Sequence, residues 1–95
     1  MKTITKEEFL ALVRTGWKTT GYHRFYCFNR TRSCTCALGA AIVGLGGKSS
    51  DDLRRIIAVL PYGLWCNISA ASDAARGKKA ALAAIEALDW PEATP

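Results

Sequence analysis

Apolar residues recur at helical spacing in four stretches of the chain, and each stretch carries its own start or stop signal. Thr5 and Glu8 stand three apart ahead of Phe9, Leu10, Leu12 and Val13. A hydroxyl and a carboxylate so placed satisfy each other's backbone amides as a capping box. The pattern predicts helix 1 over Lys6–Thr15, with Gly16 as a natural stop. The run from Cys36 to Leu45 is apolar throughout and built from small side chains, with Gly39 and Gly44 inside it. Each of these glycines costs about 1 kcal/mol against alanine in a helix. That cost makes sense where Ala37, Gly39, Ala40, Ala41 and Gly44 let another helix approach closely. A buried helix 2 is expected, with Ser33 as N-cap and Gly46–Gly47 as its end.

Ser49 and Asp52 form a second capping-box pattern ahead of Leu53, Ile56, Ile57 and Leu60, which places helix 3 at Asp51–Leu60 with Arg54 and Arg55 outward. Pro61 cannot continue it. Tyr62–Cys66 reads as an apolar link with at most one helical turn, and Ser69–Asp73 as a turn or cap. The last helix, Lys78–Leu88, buries Ala81, Leu82, Ile85 and Leu88, with Trp90 behind them. Between helices 1 and 2, Tyr22–Phe28 is rich in aromatics with β propensity, so a short extended or β arm is expected there. The fold expected is mainly α: one small domain over residues 1–95, a bundle of about four helices with that arm between helix 1 and helix 2.

Length and composition support a single domain. The 95 residues are 49% hydrophobic, much of it alanine, so the core is modest and gains from self-association. A homo-oligomer is therefore among the expected states. No apolar run approaches the ~20 residues that span a bilayer, and the N-terminus lacks the apolar segment of a signal peptide. The reading is a cytoplasmic protein with no membrane contact. In that compartment the four cysteines are expected to be reduced, buried thiols.

Charge changes the picture more by its distribution than by its size. The chain carries a formal +5, and no acidic residue falls between Phe9 and Ser50, where Arg14, Lys18, Arg24, Arg30, Arg32 and Lys48 lie. Such asymmetry attracts an anionic partner: nucleic acid, a nucleotide or an acidic protein surface. Within this stretch Trp17, Lys18, Arg24, Tyr26, Arg30 and Arg32 interleave aromatic and basic groups. Arginine forks match phosphate or carboxylate oxygens, and aromatic faces stack on bases. These six are the candidate binding residues. The bland alternative has the aromatics facing the core and the arginines facing water.

Other chemistry is poorly served. Gly44–Ser49 looks like a phosphate loop, but the position that would need the first glycine is Ile42, and the loop follows a helix rather than a strand. His23, Cys27, Cys34 and Cys36 do not have the paired spacing of zinc knuckles, so no metal or other cofactor is expected. A single histidine without an orienting group or a useful carboxylate pair gives no catalytic constellation, and the chain reads as a non-enzyme. Lys78 and Lys79 oppose the dipole of the last helix, where an anion can bind, although solvated side chains are the simpler reading.

Trp17, then Cys36-Ala-Leu-Gly-Ala40, then Ile68-Ser-Ala-Ala-Ser-Asp73 ahead of an alanine-rich last helix form an ordered set of landmarks. In these the chain resembles small uncharacterised bacterial and phage proteins with a Cys-Ala-Leu-Gly-Ala helix and an Asn-Asp or Ser-Asp turn before the C-terminal helix. It departs from them at Ser72, where asparagine is commoner, and in its extra basic and aromatic residues before the central helix. The resemblance implies a compact helical domain of mobile-element origin and transfers no site residue. Small basic proteins of that origin usually act by binding. The expected function is therefore a non-catalytic phage or prophage protein, an anti-defence inhibitor that engages an acidic surface of a host complex. Direct binding of a nucleotide or nucleic acid through the same residues is the alternative.

Overall fold

The structure is a computed structural model and describes residues 3–23, 28 and 33–91 of the chain. Among them are five α-helices and one two-stranded sheet: α1 (Lys6–Trp17), β1 (Gly21–Tyr22), β2 (Cys34–Thr35), α2 (Ala37–Gly44), α3 (Leu53–Val59), α4 (Leu64–Ala74) and α5 (Lys78–Glu86), with a 3-10 turn at Ser50–Asp52 before α3. The mainly helical class and a small β element between the first two helices are as expected, but the strand is Gly21–Tyr22, and residues 24–27 of the arm expected over Tyr22–Phe28 lie outside the described residues.

Helix α1 begins on the predicted capping box: Glu8 N–H donates to Thr5 Oγ1 at 3.1 Å, and Thr5 N–H donates to Glu8 Oε1 at 2.9 Å. It does not stop at Gly16. That glycine is buried inside the helix, where an added Cβ would lie 1.8 Å from the Ala40 carbonyl oxygen. Four residues away on each helix, a Cβ on Gly44 would lie 2.3 Å from the Leu12 carbonyl oxygen. Leu12 and Gly16 on α1 thus meet Gly44 and Ala40 on α2 backbone to backbone in an antiparallel pair. This is the close approach that the small residues of α2 suggested. The core forms around it from Phe9, Leu10, Val13 and Trp17 of α1, residues 37–42 of α2, and Ile56, Leu60, Leu64, Ile68, Ala81 and Ile85.

Helix α2 is capped from a distance. Ser33 is exposed and lies outside it; the N-cap is Cys36, whose side chain makes no capping bond. The first helical amide, on Ala37, donates instead to the hydroxyl of Ser72 at 3.0 Å, deep in the core. At the other end Gly46 N–H reaches Val43 O and Gly47 N–H reaches Ile42 O, so the two glycines close the helix as expected. Before α3, Ser49 Oγ accepts from Asp51 N–H, but Asp52 reaches back to the Lys48 amide rather than to Ser49. The reciprocal box is therefore not made.

The largest departure from the sequence reading is α4. The stretch read as a link plus a turn is one helix of 11 residues that buries Leu64, Ile68 and Ser72. The Ser72–Asp73 pair falls in its last turn, and the chain reverses at residues 75–77 instead. The bundle therefore has five helices. Gly63 precedes α4 at φ 76°, a left-handed conformation that suits glycine and turns the chain from α3 into α4.

Candidate functional site

The base of the arm is tied to the bundle by hydrogen bonds that also gather basic residues. Gly21 and Tyr22 pair in parallel with Cys34 and Thr35, and Phe28 bridges to Thr35 from the opposite direction. The Thr35 carbonyl accepts from His23 N–H at 2.8 Å and from the Trp17 indole N–H at 3.1 Å. The Tyr22 hydroxyl reaches the carbonyl oxygens of Ser72 and of Ala75, the latter at 2.9 Å, where α4 ends. Residues 24–27 and 29–32 lie outside the described residues. The flanking points from which they depart, Tyr22–His23, Phe28 and Ser33–Cys34, all gather on Thr35.

Of the six candidate binding residues, two are described. Trp17 is 5% exposed and packs on Tyr22 with ring centroids 5.8 Å apart, so it is a core residue and offers no face for stacking on a ligand. Lys18 is exposed at the C-cap of α1. Arg24, Tyr26, Arg30 and Arg32 fall outside the described residues.

The structure adds cations that the sequence reading left aside. Lys78 Nζ donates to Trp17 O, the last carbonyl of α1, at 2.6 Å. It is half-buried and satisfies a helix C-terminus rather than facing solvent beside its own N-terminus. Lys6, the first residue of α1, donates in the same way to Glu86 O, the last carbonyl of α5, at 2.8 Å. Each helix of this pair thus has its C-terminal carbonyl capped by the lysine that opens the other. The Lys78 bond to Trp17 O and the Tyr22 bond to Ala75 O bring the segment that carries the exposed Arg76 and Lys79 to the end of α1, where the exposed Lys18 follows, and to the base of the arm. Asp73 is the acidic residue in the adjoining turn of α4. No pattern within the sequence brings the turn from α4 to α5 against α1 and β1; the Lys78–Trp17 and Tyr22–Ala75 bonds do.

A second surface surrounds the turn from α3 to α4. Tyr62 is fully exposed there, and Trp65, one turn on, is 38% exposed. Tyr62 forms the wall shared by two grooves. One, of about 660 Å³, includes Asn67, Asp89 and Trp90; the other, of about 480 Å³, includes Ile57, Ala58, Trp65 and Cys66. The Cys66 thiol is exposed and Cys34 is half-buried, so of the described cysteines only Cys36 is buried as expected.

Among the described residues, no group of three or more His, Cys, Asp or Glu side chains is placed to hold a metal ion. Cys27 of the four-residue set considered above lies outside them. No helix among the described residues is long and apolar enough to cross a membrane. The loop Gly44–Ser49 connects α2 to the 3-10 turn before α3, so the strand that a phosphate loop requires does not precede it. No protein family model matches the chain, and no curated protein or solved structure is significantly similar to it.

Proposed function

We propose that the chain is a non-catalytic binding protein of phage or prophage type, an anti-defence inhibitor that engages an acidic face of a host complex in the cytoplasm. One observation supports this reading above the others. The Lys78–Trp17 and Tyr22–Ala75 bonds draw Lys18, Arg76, Lys79 and the base of the arginine-bearing arm to one end of the bundle. A cluster of cations on a rigid frame steers and orients an acidic partner. The arm supplies Arg24, Arg30, Arg32 and Tyr26, the residue types that form the strong contacts of protein interfaces. Trp17 belongs to the core, which removes one of the two stacking residues that favoured a nucleic-acid ligand.

The test is expression in hosts that carry individual defence systems, scored by phage plating. The wild-type chain should restore plating on one such host and co-purify with a component of that system. Arg30→Glu/Arg32→Glu and Arg76→Glu/Lys79→Glu should each lose both properties while keeping the wild-type melting temperature. Retention of both properties in these variants would sink the assignment to this surface. Tight binding of single-stranded nucleic acid that weakens steeply with salt would instead favour the nucleic-acid reading.

A further inference from the structure

We infer that the surface around Tyr62 is the interface of a symmetric dimer of this chain. A phenol ring with no cover from its own chain stands on the Gly63 turn between two grooves, and Trp65 lies exposed one helical turn further on. Exposed aromatic groups beside a concave apolar wall are the usual anchors of a protein interface. Tyrosine suits the role, since it fills an apolar pocket and keeps a polar tip.

The charges on either side of Tyr62 choose the occupant. Asp89 lines one groove. The other groove is walled by Ile57 and Ala58 of α3, and Arg54 stands three and four residues before them, hence on the same helix face. Arg54 is exposed, whereas its neighbour Arg55 lies 3.9 Å from Asp52. A carboxylate, Asp89, thus lines the groove on one side of a central aromatic knob, and an arginine, Arg54, stands one turn along the helix that walls the other, with the exposed Asp51 a turn further from the groove. A two-fold axis lying in the interface beside Tyr62 sets each copy's Asp89 groove against the other's Ile57–Trp65 groove. Asp89 of each copy then faces Arg54 of the other, and each Tyr62 enters the opposite groove. A patch of opposite sign on its two sides complements itself under this operation. A uniformly acidic or basic partner would meet one favourable and one unfavourable side. A +5 chain repels its copy overall, so the two local pairs also fix the register.

This interface lies at the N-terminal end of α4, and the basic end lies at its C-terminal end, about 16 Å away along the helix. A dimer through Tyr62 leaves both copies of the basic end uncovered.

Sedimentation velocity across a concentration series, up to the millimolar range, tests it. The wild type should dimerise, and Tyr62→Ser should weaken the dimer at least about thirtyfold, as loss of a central aromatic anchor does. Because Tyr62 is fully exposed, the circular dichroism and melting temperature of the dilute variant should match those of the wild-type monomer. Asp89→Arg and Arg54→Glu should each weaken the dimer, and the double variant Asp89→Arg/Arg54→Glu should recover most of the loss. A wild type that stays monomeric throughout would overturn the inference and leave the grooves to a different partner. A dimer indifferent to Tyr62→Ser, or charge variants whose losses simply add, would also overturn it.

Discussion

Replacing Gly16 with alanine tests the contact on which the bundle is built. On an exposed helical face this change stabilises by about 1 kcal/mol, through backbone entropy alone. Here the new Cβ would lie 1.8 Å from the Ala40 carbonyl oxygen, 2.6 Å from its carbon and 2.8 Å from its Cα. A carbon and a carbonyl oxygen settle at about 3.3 Å, so α2 would have to retreat by roughly 1.5 Å. Neither backbone can yield locally, because residues 37–42 of α2 are buried and hydrogen-bonded within the helix. A gap of even ~1 Å forfeits a quarter to a half of each dispersion contact across an interface. Overpacking costs of this kind run to about 3 kcal/mol. Set against the propensity gain, a net loss of about 2 kcal/mol is expected.

For a domain of this length that is a large share of the total stability and lowers the melting temperature by roughly 8–16 °C. Thermal melts and urea titrations with an unchanged m-value would measure it. Gly44→Ala should act in the same direction, since its Cβ would lie 2.3 Å from Leu12 O. The double variant should lose less than the sum of the two, because an α2 that has already moved away accommodates the second methyl group more easily. A Gly16→Ala variant as stable as the wild type, or more so, would refute the backbone-to-backbone packing of α1 and α2.

Three further outcomes follow from the hydrogen bonds. Ser72→Ala should cost about 1–3 kcal/mol, because the buried Ala37 amide loses its acceptor, while Ser33→Ala should be neutral within about 0.5 kcal/mol; urea titration of both separates capping through space from capping along the chain. Lys78→Met should lower stability by about 1 kcal/mol and Lys6→Met by a similar amount, each uncapping the C-terminus of the other's helix; no loss in either would mean that these bonds contribute nothing in solution. Tyr22→Phe should cost about 1 kcal/mol and speed amide exchange at Gly21 and His23, whose N–H groups donate to the carbonyls of Ser33 and Thr35. Unchanged exchange there would show that the arm is held independently of α4.

What could be read in the sequence divides along the range of the interactions that decide it. Thr5 and Glu8 are three residues apart and find each other without help, so the start of α1 was legible to the residue. Gly16 was not. As a local signal it ends a helix, and only a second helix lying on it turns it into an interior contact. The same holds for capping: Ser33 stands where a local cap would stand, while the hydroxyl that performs the task comes from Ser72, on a different helix. In both cases the residue type was informative and the partner lay outside the window.

Helix α4 hid for another reason, and it bears on what the protein does. Its buried face, Leu64, Ile68, Ser72 and then Ala75, keeps a helical period. Two features blur that period. Ser72 puts a polar residue in the core, where it looks like a turn. Trp65 and Cys66 put apolar residues on the outer face, where solvated side chains should be. Ser72 answers to the fold, because its hydroxyl caps α2. Trp65 and Cys66 are exposed, and Tyr62 before them fully so, and none of the three caps or ties an element among the described residues. An apolar residue that breaks the period of its own helix and stays partly exposed, as Trp65 does beside the uncovered Tyr62, is placed for a surface that arrives from outside. The blurred period of α4 and the inferred dimer therefore have one cause, and restoring that period is a direct test. Trp65→Lys restores the amphipathic period of α4, so it should leave the monomer as stable as the wild type or slightly more so while it weakens the dimer. A monomer destabilised by more than about 1 kcal/mol would instead assign Trp65 to the core of its own chain.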